Sequence, residues 1–386
     1  MPENTNEFDF TLSEEQLAIR DVARSIAETE IKSVVMKYDE SEEFPAEIFK
    51  KLAEAGFLGV MVDEKYGGAG LGAAEAAIVI EEIARVDPGV ALGVAAHNGL
   101  CTGHILKFGS EGQKKKYLPD LATGKKLGMW GLTEPGSGSD SGGMATFATR
   151  TKGGWNISGS KNFITHGTVG ETAVIMAKTD KDNGVHGISA FILEKNMKGF
   201  SATKQSKKLG MRCSDTCTLA FDNVFVPEEN LIGKEGDGFL QAMQVLDGGR
   251  ISIAALSVGC GQGAYEAALK YSEERKQFGK PLFEHPAIQN KIAQMAMAVE
   301  TSRLLTHKAA YLRDSGQPFS LEASQAKLFA SESAVHVSEE AVQIHGGYGY
   351  MKEYPVEKFW RDSKLLTIGE GTSEVQRMVI AKHILE

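Results

Sequence analysis

The chain has 386 residues, 42% of them hydrophobic and 24% charged, enough to bury a large core across two or three domains. Its 51 acidic against 42 basic residues leave a formal charge of -9, which argues against nucleic acid as a general partner because phosphate binding needs a basic face. Four cysteines without a CxxC pair and nine histidines without HExxH point to reduced thiols and to no metal site.

The stretch Met1-Pro2-Glu3-Asn4-Thr5-Asn6-Glu7 is polar and acidic, unlike a secretory apolar region or an Arg-rich transit segment. No apolar run reaches the length of a membrane span, so a cytoplasmic protein without membrane insertion is expected. Thr11-Leu12-Ser13-Glu14 offers a capping box, and Leu12, Ile19, Val22 and Ile26 follow at near-helical spacing. Phe44-Pro45 opens a second helix with Pro in its first turn. Residues 73–86 and 90–108 read as Ala-rich helices separated by Asp87-Pro88-Gly89, so residues 1–126 form a helical domain. From 127 to 234, short apolar runs at 172–177, 187–193 and 216–225 alternate with Gly/Asn/Asp/Lys clusters, the pattern of an antiparallel β-domain. Residues 155–165 read as a hairpin within it. After Gly233-Lys234-Glu235-Gly236-Asp237-Gly238 the pattern is helical again through 235–386, with long runs near 239–275, 286–316 and 321–344.

Glu370 lies between Gly369 and Gly371, just ahead of a Thr372-Ser373 helix start. A carboxylate without bulky neighbours is open to close approach, as a general base must be; the same residues also suit a tight turn carrying a solvated acid. Asp247 and Arg250 have the three-residue separation that places both on one helical face, the spacing of an ordinary ion pair. Arg275 stands where a helix must end before Phe278-Gly279-Lys280-Pro281, a usual place for a solvated cation. Gly136-Ser137-Gly138-Ser139-Asp140-Ser141 lacks both the third glycine and the βαβ setting of a dinucleotide fingerprint.

Two longer segments carry a resemblance. Trp130-Gly131-Leu132-Thr133-Glu134-Pro135-Gly136-Ser137-Gly138-Ser139-Asp140 resembles the first signature of the acyl-CoA dehydrogenase family. Gln343-Ile344-His345-Gly346-Gly347-Tyr348-Gly349-Tyr350, continuing through Glu353, Lys358 and Asp362, resembles the second. The likeness runs from about residue 12 to residue 385 and takes in Asp63-Glu64-Lys65-Tyr66-Gly67-Gly68, Leu246-Asp247-Gly248-Gly249-Arg250 and Arg275-Lys276-Gln277-Phe278-Gly279-Lys280-Pro281. It implies an α+β fold of the acyl-CoA dehydrogenase type: an N-terminal helical domain, a middle antiparallel β-domain and a C-terminal four-helix bundle.

The resemblance also implies FAD as cofactor. Leu132 and Thr133 would contact the flavin ring, Phe163 and Thr165 would line its other side, and Ser139 would reach the pyrophosphate or the substrate. Arg275, Gln277, Phe278 and Thr372 would bind FAD, while Gln343, Gly346 and Gly347 would approach it from a neighbouring subunit of a homotetramer built as a dimer of dimers. Asp247 and Arg250 would contact the CoA of an acyl-CoA substrate, with Ser139, Gly369 and Gly371 beside it. Leu92 and Ala96, with Gly93 and Leu100, would line the far end of the acyl pocket.

The chemistry so implied is FAD-dependent α,β-dehydrogenation of a short-, branched- or cyclic-chain acyl-CoA to trans-2-enoyl-CoA. Glu370 would take the α-proton, flavin N5 would accept the hydride, and electrons would pass to electron-transferring flavoprotein. An enoyl-CoA reductase or an acyl-CoA oxidase would use the same residues, and a CoA-binding scaffold without catalysis would fit the same fold. Three positions depart from relatives: Phe163 replaces a common Trp, Gly249 stands where some relatives carry the catalytic Glu, and Gly369 replaces an aromatic residue.

Overall fold

The computed structural model describes residues 11–386, so the polar stretch at residues 1–7 lies outside the described residues. The N-terminal part is helical: α1 (Glu14–Ile26), α2 (Val35–Ser41), α3 (Ala46–Glu54), α4 (Ala73–Ala84), α5 (Pro88–Ala96), α6 (Gly103–Phe108) and α7 (Glu111–Ala122). The capping box of α1 is Ser13 with Gln16, two residues later than Thr11 with Glu14, because Ser13 Oγ accepts from Gln16 N at 3.2 Å while Gln16 Oε1 accepts from Ser13 N. Pro45 occupies the cap of α3 and not its first turn. Asp87-Pro88-Gly89 is itself a helix start: Asp87 accepts from Gly89 N at 2.8 Å and Pro88 is the first helical residue, which suits its missing N–H. A π-helical segment, His97–Thr102, then joins α5 to α6.

The middle part contains β1 (Gly128–Gly131), β2 (Phe147–Thr151), β3 (Gly154–Thr165), β4 (Thr172–Lys178), β5 (Ile188–Glu194), β6 (Phe200–Lys204), β7 (Thr216–Pro227) and β8 (Leu231–Ile232). The sheet runs β6-β7-β3-β2-β4-β5-β8, mostly antiparallel, with β1 added parallel to β4. Residues 155–165 are one bulged strand and not a hairpin: Trp155 pairs with Val226 and Thr165 with Thr216, both on β7. Gly159 at φ 143° and Phe163 at φ 60° fall within the two register shifts, so the chain bends twice without reversing.

The C-terminal part holds α8 (Gly238–Glu274), the short strands β9 (Lys276–Gln277) and β10 (Lys280–Pro281), α9 (Pro286–Asp314), α10 (Ser320–His345), α11 (Val356–Leu366) and α12 (Ser373–Leu385). One apolar core runs through both helical parts, from Ile80 and Ile83 on α4 to Leu256 on α8 and Val337 on α10. A second joins α7, β4, β5 and the start of α8, and a third lies within the sheet around Trp155 and Phe191. The sheet is thereby seated against helices of both parts. A buried ion cluster adds to this: Lys358 Nζ on α11 donates to Asp87 at 3.0 Å and Asp362 at 2.6 Å, and Asp362 also accepts from Met211 N in the β6–β7 connection. Burial opposes the Lys358 charge, but Asp362 and Asp87 outweigh it and raise its pKa, so the ammonium is kept.

Candidate active site

The segment between α11 and α12 is a turn with two consecutive left-handed residues, Glu370 at φ 52° and Gly371 at φ 94°. A non-glycine residue in that region is strained, so the surroundings must hold it. Gln376, buried on α12, donates from Nε2 to both Glu370 O at 3.2 Å and Gly371 O at 3.1 Å. Lys327 Nζ, from α10, donates to Gly371 O at 2.7 Å. Thr372 Oγ1 accepts from Val375 N and starts α12. With its backbone fixed on both sides, Glu370 turns its side chain onto α8.

There it lies over Gly249. A Cβ added to Gly249 would stand 1.9 Å from Glu370 Oε2 and 3.3 Å from Leu100 Cδ2, so the missing side chain is the space that the carboxylate occupies. Glu370 Oε2 is buried and has no hydrogen-bond partner among the described residues. Burial pushes the Glu370 pKa up to about 7, against the opposing charges of Lys327 and Arg250. The reading as a solvated acid in a turn is therefore set aside: the turn is real, but the acid points inward. A carboxyl whose pKa burial raises and whose second oxygen is unused has the features a proton-transfer group needs.

Arg250 is almost fully buried; its Nη1 donates to Asp247 and to Ser324 Oγ at 3.2 Å, and Asp247 also accepts from Ser320 Oγ at 3.0 Å. The two share a helical face as their spacing predicts, but with Arg250 buried beside Glu370 and Asp247 half-buried. Leu92 packs against the main core and Ala96 is buried on the same helix, while Leu100 is the residue that reaches the Gly249 position. Gly369 is open: a Cβ there would meet only Leu365 O, at 3.7 Å.

A second group forms on the sheet. Leu132 O accepts from Lys161 Nζ at 3.1 Å, and Thr133 O accepts from Asn162 N at 2.8 Å, which sets Phe163 next to the Leu132-Thr133 turn. Phe163 is 65% exposed, an aromatic ring held outward by a positive φ. Thr165 is half-buried at the end of β3, and Ser139 is exposed in a loop where Gly136 and Gly138 border open space. Lys161 and Glu134 were not singled out in the sequence. Lys161 is fully buried and donates to Glu134 at 2.7 Å, while Glu134 also accepts from Ala145 N and Thr146 N. Along β3 Lys161 shares the alternate positions of the buried Trp155 and Ile157, and that alternation is the signal that could find it.

A third group lies at the end of the bundle. Arg275 caps α8 and sits 5.6 Å from the Tyr348 ring. Gln277 is exposed on β9, Phe278 is 95% exposed at φ 52°, and Gln343, Gly346 and Gly347 are exposed at the α10 terminus. Thr372 serves α12 as its cap. Outward rings at Phe163 and Phe278, both on strained backbone, together with glycines bordering empty space and an Arg without an ion-pair partner among the described residues, fit a large flat anionic cofactor. The four cysteines are free and buried.

Family models for the acyl-CoA dehydrogenase N-terminal, middle and C-terminal domains match residues 13–125, 130–224 and 236–385. The short-chain specific acyl-CoA dehydrogenase of Clostridium acetobutylicum is 47% identical over 376 residues, 97% of this chain and 99% of that protein. The caffeyl-CoA reductase-Etf complex subunit CarC of Acetobacterium woodii is 43% identical over 375 residues, 97% of this chain and 99% of that one. The structure of butyryl-CoA dehydrogenase from Megasphaera elsdenii superimposes with a TM-score of 0.96 at 42% identity, covering 98% of this chain and all of that one. The chain belongs to the acyl-CoA dehydrogenase family. It is an oxidoreductase of that FAD-dependent class, and acyl-CoA dehydrogenation is its chemistry.

Proposed function

We propose that the chain removes hydrogen from the α and β carbons of a short-chain acyl-CoA, branched or cyclic ones included, giving the trans-2-enoyl-CoA, with Glu370 as the base. The observation that carries this is the buried Glu370 Oε2, without a hydrogen-bond partner among the described residues, lying over Gly249. A thioester α-proton is too weakly acidic for a hydrated carboxylate, and burial makes Glu370 a stronger base. The positive charges of Lys327 and Arg250 oppose the rise in its pKa. The Glu370 N–H, which has no acceptor among the described residues, is free to donate to the thioester oxygen as negative charge builds there. Asp247 holds Arg250 in place, and Leu100 reaches the same spot on α8 that the carboxylate covers. FAD, when bound, supplies the hydride acceptor that no side chain provides.

Leu132, Thr133, Ser139, Phe163 and Thr165 would hold the flavin end of FAD. Arg275, Gln277, Phe278 and Thr372 would serve the rest, with Gln343, Gly346 and Gly347 of a second copy. The 95% exposure of Phe278 and 87% exposure of Tyr350 support a partner copy at this end, as a homotetramer would provide. Within one copy a Cβ at Gly347 meets nothing within 4 Å among the described residues, so the first atom of the Gly347→Leu side chain fits without a clash. Colourless or dissociated protein is the expected result, read by flavin absorbance and sizing; a monomeric wild type with full FAD would rule out the shared site.

Gly369 opens room beside the substrate. An acyl-CoA panel with an artificial electron acceptor should show turnover of α-branched or cyclic as well as linear short chains. Gly369→Tyr should lower kcat/KM for the bulky ones roughly ten- to a hundredfold and spare butyryl-CoA. Equal losses for both would assign the gap to the backbone at Glu370. Electron-transferring flavoprotein is the proposed acceptor, supported by the likeness to the Etf-complex subunit. That same likeness favours a second reading, reduction of an enoyl-CoA, which the panel separates by measuring both directions. No helix among the described residues is long and apolar enough to cross a membrane, and a cytoplasmic location is proposed.

A further inference from the structure

Lys327 sits on the apolar face of α10 among Ala323, Ala326, Ala330 and Ala334, and is itself 0% exposed. Its only hydrogen-bond acceptor among the described residues is Gly371 O at 2.7 Å, and it forms no direct ion pair among them. A lone backbone carbonyl compensates a buried ammonium poorly, and an apolar side chain of the same length would fill the space at lower cost. The opposite charge that acts most strongly on it is Glu370, whose turn the lysine already grips.

We propose that Lys327 is a positioning residue of the active site: it pins the Glu370-Gly371 turn from α10 and supplies the fixed positive charge that keeps Glu370 ionised. This rests on the reading of Glu370 as the base. The charged groups around the turn are Arg250 with Asp247 on α8, Lys327 and Glu332 on α10, Lys364 on α11, and Glu374 and Arg377 on α12. Glu332 pairs with Arg377 at 2.7 Å, and these two, with Lys364 and Glu374, are exposed and screened by water. Arg250 is already engaged by Asp247. Lys327 is thus the one interior cation near Glu370, among the described residues, whose charge no other carboxylate takes up directly. Burial brings its own pKa down to about 8 although Glu370 pulls it upward, so it still carries its charge as Glu370 begins to ionise.

Two substitutions separate charge from grip. Lys327→Gln keeps a donor for Gly371 O and removes the charge; Lys327→Met removes both. In FAD-loaded Lys327→Gln the acid limb of kcat/KM should move up by about one pH unit, so that turnover near pH 6 falls roughly tenfold and recovers near pH 8.5. Lys327→Met should show the same shift and, in addition, a loss of kcat at every pH because the turn is released. An unmoved acid limb in folded, FAD-loaded Lys327→Gln overturns the proposal. Should neither variant load FAD, the reciprocal titration decides: by linkage, Glu370→Gln must lower the pKa of Lys327, followed by 13Cε-lysine NMR on protein without any change at 327. Lysine titrations identical to wild type would overturn it. Full turnover in Glu370→Gln would instead remove the base assignment itself, whereas an inactive Glu370→Gln beside an unmoved limb in Lys327→Gln removes only the role of Lys327.

Discussion

Glu370→Gln should keep the fold, FAD and acyl-CoA binding and lose dehydrogenation by at least about a hundredfold, the lower end of what a general base contributes. The change is nearly isosteric, and Glu370 Oε2 has no partner among the described residues to lose, so the turn held by Gln376 and Lys327 should persist. The pH profile gives a second signature. The wild-type carboxyl, raised to about 7 by burial, is protonated below that value and ionised above it, so kcat/KM should rise with pH through about 7. The residual rate of the amide should lack that limb. Anaerobic mixing with substrate checks the assignment directly: rapid bleaching of the flavin in Glu370→Gln would transfer the base role to another group.

Lys358→Met should destabilise the protein by about 3–5 kcal/mol, the cost of removing one partner from a buried ion cluster. Asp87 caps α5, Asp362 holds the β6–β7 connection through Met211 N, and both carboxylates would be left buried without their cation. Because α11 leads directly into the Glu370 turn, FAD retention on heating should fall together with the unfolding midpoint. Unfolding is best followed as a rate as well as a midpoint. A melting temperature equal to wild type would mean that the three segments are held by their apolar contacts alone. Replacing Lys358, Asp87 and Asp362 together by apolar residues should recover part of the loss, since no unpaired charge then remains.

The order of helical, β and helical parts was legible because each carries its own period: near 3.6 in Ala-rich runs such as α4 and α10, and short apolar runs between turn residues in β4, β5 and β7. Local boundaries were less so. Thr11 and Ser13 are both good caps, and the choice of Ser13 depends on Gln16 being free to bond back. The strand at residues 154–165 looked like a hairpin because Gly159 and the polar residues around it are turn formers; β7, some sixty residues later, supplies partners for both halves and keeps it extended.

The site divides in the same way. Glu370 between two glycines, Gly249 in place of a carboxylate, and the motifs around Thr133, Arg275 and Gln343 are properties of the chain read alone, since each is a local pattern or a family pattern. That order of residues settled the family, the cofactor and the kind of chemistry. What only the tertiary structure decided is where the charges lie. Lys327 and Lys161 look like ordinary lysines in sequence, Lys358 is only one member of a signature, and Arg250 looks like an exposed pair with Asp247, because nothing local distinguishes a solvated cation from a buried one. Desolvation depends on every element packed around a group. The raised pKa of Glu370 and the role of Lys327 beside it therefore arise only once α8, α10 and α12 close around one turn.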